Sequence, residues 1–116
     1  MNGELEALIA KIRAFNAARD WSQFHSPKNL ACALSAECGE LLEHFQWLTE
    51  EQSRALDEPA RQAVAHEIAD VLIYVLQLGD ALGIDPLAAA HAKLAINEAK
   101  YPVERARGSS RKYSDL

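Results

Sequence analysis

Two short acidic stretches hold the residues best suited to chemistry in this chain. Glu37-Cys38-Gly39-Glu40 places two carboxylates three residues apart, and Glu67-Ile68-Ala69-Asp70 does the same. On a helix, residues three apart share a face, roughly 5–6 Å from one another. Both pairs sit inside apolar-periodic runs, residues 29–48 and 60–82. The periodicity predicts burial for Leu34, Leu41, Leu42 and Phe45 around the first pair, and for Val64, Val71, Leu72 and Val75 around the second. Acids are almost never buried without a partner. Two facing helices would bring four carboxylates together, which is stable only with a counter-cation or shifted pKa values. A divalent metal held by oxygen ligands resolves the conflict.

Ligand type narrows the metal. The residues three before His25, His44, His66 and His91 are Ser22, Leu41, Ala63 and Ala88, so no Glu-x-x-His motif of the di-iron bundles is present. Oxygen-only ligands suit Mg²⁺, with Mn²⁺ as a substitute. Because Mg²⁺ usually enters sites shared with substrate phosphates, a nucleotide is the expected ligand. The plainer alternative is a pair of solvated helix faces, which a lone acid pair would favour; two pairs within apolar helices weigh against it.

Other residues fit a nucleotide less specifically. Lys93, Asn97 and Tyr101 are spaced by four and so project from one face, where they could meet phosphate oxygens. Taken alone, they read better as a solvent-facing lysine and a surface asparagine. Arg111 and Lys112 are either a solvated tail or a flap over phosphates. Trp21, Phe24 and His25 precede the second long helix and Trp47 ends it. Core packing is the ordinary use of tryptophan, and stacking on a base is the functional one. Tyr74 lies one turn beyond Asp70, so its hydroxyl is expected to face the same cavity.

The elements that must position these residues are helical. An apolar stripe of Leu5, Leu8, Ile9, Ile12 and Phe15 predicts a first helix over 3–19. A ring-rich loop, 20–25, follows. Ser26-Pro27 supplies an N-cap and a first-position proline for a second helix ending near Trp47. Thr49 with Gln52 fits a capping box for a short turn. Asp57-Glu58-Pro59 opens a third long helix that stops at Leu82-Gly83. Asp85-Pro86 opens a fourth, running to about Lys100. Residues 107–112 are expected to be irregular.

At 116 residues the chain is long enough for one hydrophobic core. An apolar share of 49% with aromatics at only 7%, and few glycines and prolines, predicts an all-α protein. The net charge of −5 argues against general nucleic-acid binding, although the tail is basic. Cys32 and Cys38, six apart on one helix, are poorly placed for a mutual disulfide and are expected as buried free thiols. With no charged-then-apolar leader and no run of membrane-spanning length, a cytoplasmic protein without a membrane partner is expected.

Glu37-x-x-Glu40 followed by Glu67-x-x-Asp70 resembles the metal-binding signature of the all-α nucleoside triphosphate pyrophosphohydrolases, the MazG-like superfamily. Arg19-Asp20-Trp21-Ser22-Gln23-Phe24-His25, Phe45-Gln46-Trp47, Asp70-Val71-Leu72-Ile73-Tyr74 and Ser109-Ser110-Arg111-Lys112-Tyr113 are similar to its dCTP pyrophosphatase branch. The resemblance covers nearly the whole chain and implies a four-helix-bundle-like domain over 1–103 with a basic tail, 104–116. It implies hydrolysis of a deoxynucleoside triphosphate, dCTP or a modified dCTP, to the monophosphate and pyrophosphate. Glu37, Glu40, Glu67 and Asp70 would hold Mg²⁺, with Glu37 as general base. Trp21 and Trp47 would line the base pocket with His25 near it, and Lys93, Asn97 and Tyr101 would face the phosphates. It further implies a homo-oligomer, dimer or tetramer. One departure is Ile12, which stands where some animal members carry a histidine. The competing readings are a relative acting on dUTP, a damaged base or phosphoribosyl-ATP, and a non-catalytic helical oligomerisation module.

Overall fold

The computed structural model describes residues 3–116, which form helices and turns with no strand among them. The all-α class anticipated from composition is the class that forms. α1 spans Gly3–Ala18, and a single 3₁₀ turn at Ser22–Phe24 leads into α2, Pro27–Glu43. Ser26 caps α2 by accepting the Asn29 backbone N–H at 3.1 Å, and Pro27 at the first position costs no hydrogen bond.

α2 ends at Glu43, four residues short of the expected Trp47. Bonds from His44 N–H to Leu41 O and from Phe45 N–H to Leu42 O tighten the backbone into turns there. The chain must leave the helix because Thr49 is extended (φ −73°, ψ 164°) to cap α3, Glu50–Ser53. The Thr49–Gln52 capping box forms in both directions, at 3.1 and 3.0 Å. α4 spans Glu58–Leu82, capped by Asp57 on the Ala60 N–H at 2.9 Å. Gly83 ends it at φ 67°, a left-handed conformation natural to glycine. α5, Pro86–Lys100, starts from Asp85, whose carboxylate accepts the Leu87 and Ala88 N–H groups. A short α6 at Val103–Ala106 was not anticipated; residues 107–112 are irregular, and a 3₁₀ turn at Tyr113–Asp115 follows.

The described chain divides into two compact units, residues 3–84 and 85–116. In the first, α4 packs chiefly on α2 and less extensively on α1. Ile9, Leu30, Val64 and Leu76 form its buried apolar centre. The face α2 turns inward follows Leu30, Leu34, Glu37 and Leu41, at helical spacing, all buried or half-buried.

Several residues predicted to be buried are not. Leu72 and Val75 are exposed because α1 and α2 cover only part of the circumference of α4, and Leu42 is exposed because it lies off the inward stripe of α2. Cys32 and Cys38 are free, as expected, yet exposed, since both lie off the inward stripe of α2. No single helix among the described residues is long and apolar enough to cross a membrane.

Candidate active site

The packing of α2 on α4 brings three of the four acids together. One carboxylate oxygen each from Glu37, Glu67 and Asp70 lies within 4.8 Å of the others. Glu37 is half-buried because it occupies the inward stripe of α2, whereas Glu40, three residues on, sits to the side and is exposed. Glu40 nevertheless remains against Glu37. Oε2 of Glu37 and Oε2 of Glu67 are fully buried without a hydrogen-bond partner.

The electrostatics follow from that crowding. The Glu40 carboxyl beside it, then burial, then the charges of Glu40 and Asp70 and contact with Glu67, push Glu37 up to about 7. A carboxyl–carboxylate bond needs a proton, so Glu37 gives its proton up reluctantly among acidic neighbours. Two orphaned oxygens in a cluster of acids fit a hard divalent cation, for which carboxylate oxygens are the natural ligands. Glu37, Glu67 and Asp70 therefore suit such an ion, with Glu40 adjacent.

Asp70 also belongs to a second feature. Together with Phe15, Trp21, His25, Ile73 and Tyr74 it lines a cavity of about 340 Å³, within the usual range for small-molecule sites. Lys11, Ile12, Asn16 and Gln77 complete the wall. The loop carrying Trp21 is held locally. Trp21 N–H donates to Asn16 O at 3.0 Å, and Asp20 turns the chain at φ 54°, which aspartate tolerates better than most residues. Gln23 Nε2 donates to Asp20 O and Oδ2, both at 3.0 Å, and Asn29 Nδ2 donates to Phe24 O at 2.9 Å. The Trp21 ring meets Phe15 edge to face with centroids 5.6 Å apart, and the Arg19 guanidinium stacks 3.7 Å from the Phe15 centroid. A smaller cavity of about 200 Å³ adjoins the first and shares Ile12, Asn16, His25 and Gln77 with it. At its far side Arg13 forks onto Asp80, with Nε to Oδ2 at 2.8 Å.

Trp21, His25 and Tyr74 thus share one cavity with Asp70, and Trp47 does not. Trp47 is 86% exposed and lines neither cavity. Lys93, Asn97 and Tyr101 lie along α5 in the 85–116 unit, Lys93 exposed and the other two half-buried. Within that unit Tyr101 meets Tyr113 edge to face at 6.0 Å, with the Lys100 ammonium 4.7 Å from the Tyr113 centroid. Arg111 and Lys112 are exposed there, Arg111 in an open cup with Arg105, Gly108, Ser109 and Ser110.

Sequence reasoning missed Phe15 as a cavity wall, because it continued an apolar stripe. It also passed over Lys11, Asn16, Ile73 and Gln77. For two of these a signal existed: Asn16 falls seven after Ile9 and four after Ile12, on the packing face, and Gln77 interrupts the apolar run 71–78.

The all-helical chain thus draws carboxylates from two packed helices to one edge of an aromatic-walled cavity, a place for a divalent cation beside a small-molecule site. Residues 32–116 match the model of the MazG-like family. Human dCTP pyrophosphatase 1 is 44% identical over 104 residues, covering 88% of this chain and 61% of that protein. The mouse protein of the same name is 45% identical over the same shares. A solved pyrophosphatase from Archaeoglobus fulgidus DSM 4304 superimposes with a TM-score of 0.82 at 42% identity, covering 88% of this chain and 95% of that one. The chain belongs to the MazG-like family. It spans about 61% of the length of the curated mammalian relatives it matches.

Proposed function

We propose that this chain is a Mg²⁺-dependent nucleoside triphosphate pyrophosphohydrolase, acting on dCTP or a modified dCTP to give the monophosphate and pyrophosphate. The observation that carries the reading is Asp70, which is at once a member of the acid cluster and a wall of the aromatic cavity. A triphosphate bound with its base against Trp21 and Tyr74 would have its phosphates at the acids. The names of the mammalian relatives and of the archaeal neighbour support the same activity.

Glu37, Glu67 and Asp70, with Glu40 beside them, would hold the cation. When bound, Mg²⁺ offsets phosphate charge that otherwise repels a nucleophile and acidifies the attacking water. Glu37 would accept the attacking water's proton, the role of a carboxylate not wholly committed to the cation. Trp21 stacks on the base and His25 lies at its edge. Arg111, Lys112, Lys93, Asn97 and Tyr101 supply positive charge and donors to the phosphates. Trp47, exposed in a single chain, contributes from a second copy, which is one reason to read the working form as a homo-oligomer.

Incubating the purified protein with a panel of nucleoside triphosphates, with Mg²⁺, Mn²⁺ or chelator, tests the reading. Pyrophosphate and a monophosphate should appear only with metal, fastest from a cytosine nucleotide. Orthophosphate as the sole initial product would refute attack at the α-phosphate.

A further inference from the structure

Asn16 is the one polar residue among the buried ones described, 9% exposed. Its Nδ2 donates to Gln77 Oε1 at 2.8 Å, tying α1 to α4. That single bond leaves much of the pair's capacity unused. A primary amide offers one carbonyl oxygen and two N–H donors. As oriented, Asn16 Oδ1 and Gln77 Nε2 make no hydrogen bond with the described residues, although both residues line both adjoining cavities. Neither atom is among the fully buried unpaired ones, so this idle acceptor and idle donor open onto the cavities and are free to meet a ligand there.

A purely structural tie between α1 and α4 needs no such surplus. At comparable wall positions the chain uses Ile12 and Ile73. Ile12 lies one turn before Asn16 on the same face, so the cavity passes from an apolar to an amide wall along α1. Coupled through one hydrogen bond, the two amides behave as a unit, presenting an acceptor from α1 next to a donor from α4. The complementary edge is a donor beside an acceptor. A 4-aminopyrimidine has that edge: its exocyclic amine would donate to Asn16 Oδ1 while its ring N3 accepts from Gln77 Nε2. A 4-oxopyrimidine has the reverse pattern and would set acceptor against acceptor and donor against donor. Asparagine and glutamine reading base edges through paired donors and acceptors is established chemistry.

We propose that the Asn16–Gln77 amide pair is the base-edge reader of the cavity, selecting a 4-amino over a 4-oxo pyrimidine. The inference rests on the triphosphate-hydrolase reading above and adds residues that reading does not use. The stack on Trp21 tolerates any base, so discrimination falls to these amides.

The test measures kcat/KM for dCTP, for dUTP and for the dCTP analogue lacking the 4-amino group, with Mg²⁺. Wild type should favour dCTP over each of the others by about tenfold to a hundredfold, the effect of satisfying or stranding buried polar groups. The near-isosteric double variant Asn16→Leu/Gln77→Met should bring the three substrates close together. Gln77→Glu, which replaces the donor facing N3 with an acceptor, should collapse the preference for dCTP over dUTP, because it opposes the bare N3 of the 4-amino base and accepts from the N3 proton of dUTP. This single variant decides the matter should the double variant fail to fold. Thermal unfolding of each variant separates lost folding from lost recognition. Base ratios unchanged in Gln77→Glu, or wild type preferring the 4-oxo base, would overturn the inference while leaving the hydrolase reading intact. Wild type hydrolysing none of the three, nor any other triphosphate, would overturn both.

Discussion

Glu37 on α2 and Glu67 on α4 each bury an Oε2 that meets no hydrogen-bond donor. Each is held there by its helix, one in the inward stripe of α2, the other among the apolar residues of α4. The strain is removed by a proton or by a cation.

The proton gives the first prediction. Glu40, burial and the remaining acids raise the folded Glu37 to about 7 from an ordinary 4.5. A raised acid pKa means the folded state holds the extra proton. The stabilising contribution is therefore fully present below about pH 4.5 and lost as pH rises through about 7. The Asp80 carboxyl, lowered chiefly by its hydrogen bond with Arg13, acts in the other direction and below its ordinary value near 3.8, so the two windows do not overlap. Thermal unfolding in chelator should show stability falling between these upper limits in wild type and nearly flat in Glu37→Gln. An equal slope in the two proteins would contradict the assignment.

The cation gives the second. Glu67→Gln removes one charge from the cluster and should abolish activity. It should also leave the metal-free protein more stable than wild type at neutral pH, because the repulsion falls. Mg²⁺ bound to the folded state alone should stabilise wild type by about 2.7 kcal/mol at a hundredfold excess over its Kd. The variant should gain much less. A variant less stable without metal, and shifted by Mg²⁺ as much as wild type, would mean the acids do not form a repelling metal cluster.

The two tryptophans separate in the third. Trp21 lines the cavity, so Trp21→Ala should raise KM by about tenfold to a hundredfold, the worth of a stacked base, with the fold intact. Trp47→Ala should leave folding unchanged, given its exposure. It should raise KM only under conditions where the chain self-associates, which dilution across the association range would reveal.

Much of this architecture was legible because local chemistry sets it. Ser26-Pro27, Thr49 with Gln52, Asp57, Asp85-Pro86 and Gly83 each cap or stop a helix through bonds made within a few residues, and the structure shows them doing so. What was not legible depends on partners distant in sequence. The end of α2 was set by the cap of α3 rather than by its own periodicity. Leu42, Leu72 and Val75 carry a core-like pattern that cannot say whether the covering surface comes from the same chain. Among the site residues, the acids stood out because charge in an apolar run is conspicuous. Phe15 was hidden because an aromatic on an apolar stripe looks like core. Asn16 and Gln77 could have been found by asking where the buried amides' hydrogen bonds go.

The basic tail yields the fourth prediction. Arg111 and Lys112 are exposed and pair with no acid among the described residues. Replacing both by alanine should leave thermal stability unchanged and raise KM for the triphosphate, with the wild-type advantage shrinking at high salt as screening predicts. Unchanged kinetics would make them ordinary solvated charges.

The last prediction concerns the uncovered stripe of α4. Ile68, Leu72 and Val75 recur at i, i+4 and i+7, 54%, 44% and 38% exposed. Three large side chains in a row on a helix are more than scattered surface hydrophobics, and such patches mark interaction surfaces. A second copy of the chain is the occupant consistent with the homo-oligomer proposed above. Burying a side chain of this type contributes roughly 1.5–3 kcal/mol. Introducing charge at two positions, Ile68→Glu with Leu72→Glu, should therefore dissociate the oligomer, because a buried unpaired carboxylate is strongly unfavourable. Light scattering after size exclusion should show a multiple of the 12.8 kDa chain mass for wild type and the single-chain mass for the variant. Far-ultraviolet circular dichroism should remain helical, since neither side chain belongs to the buried centre of the 3–84 unit. A wild-type chain that runs at its single-chain mass at all concentrations, or a double variant that still associates, would place this stripe outside any interface.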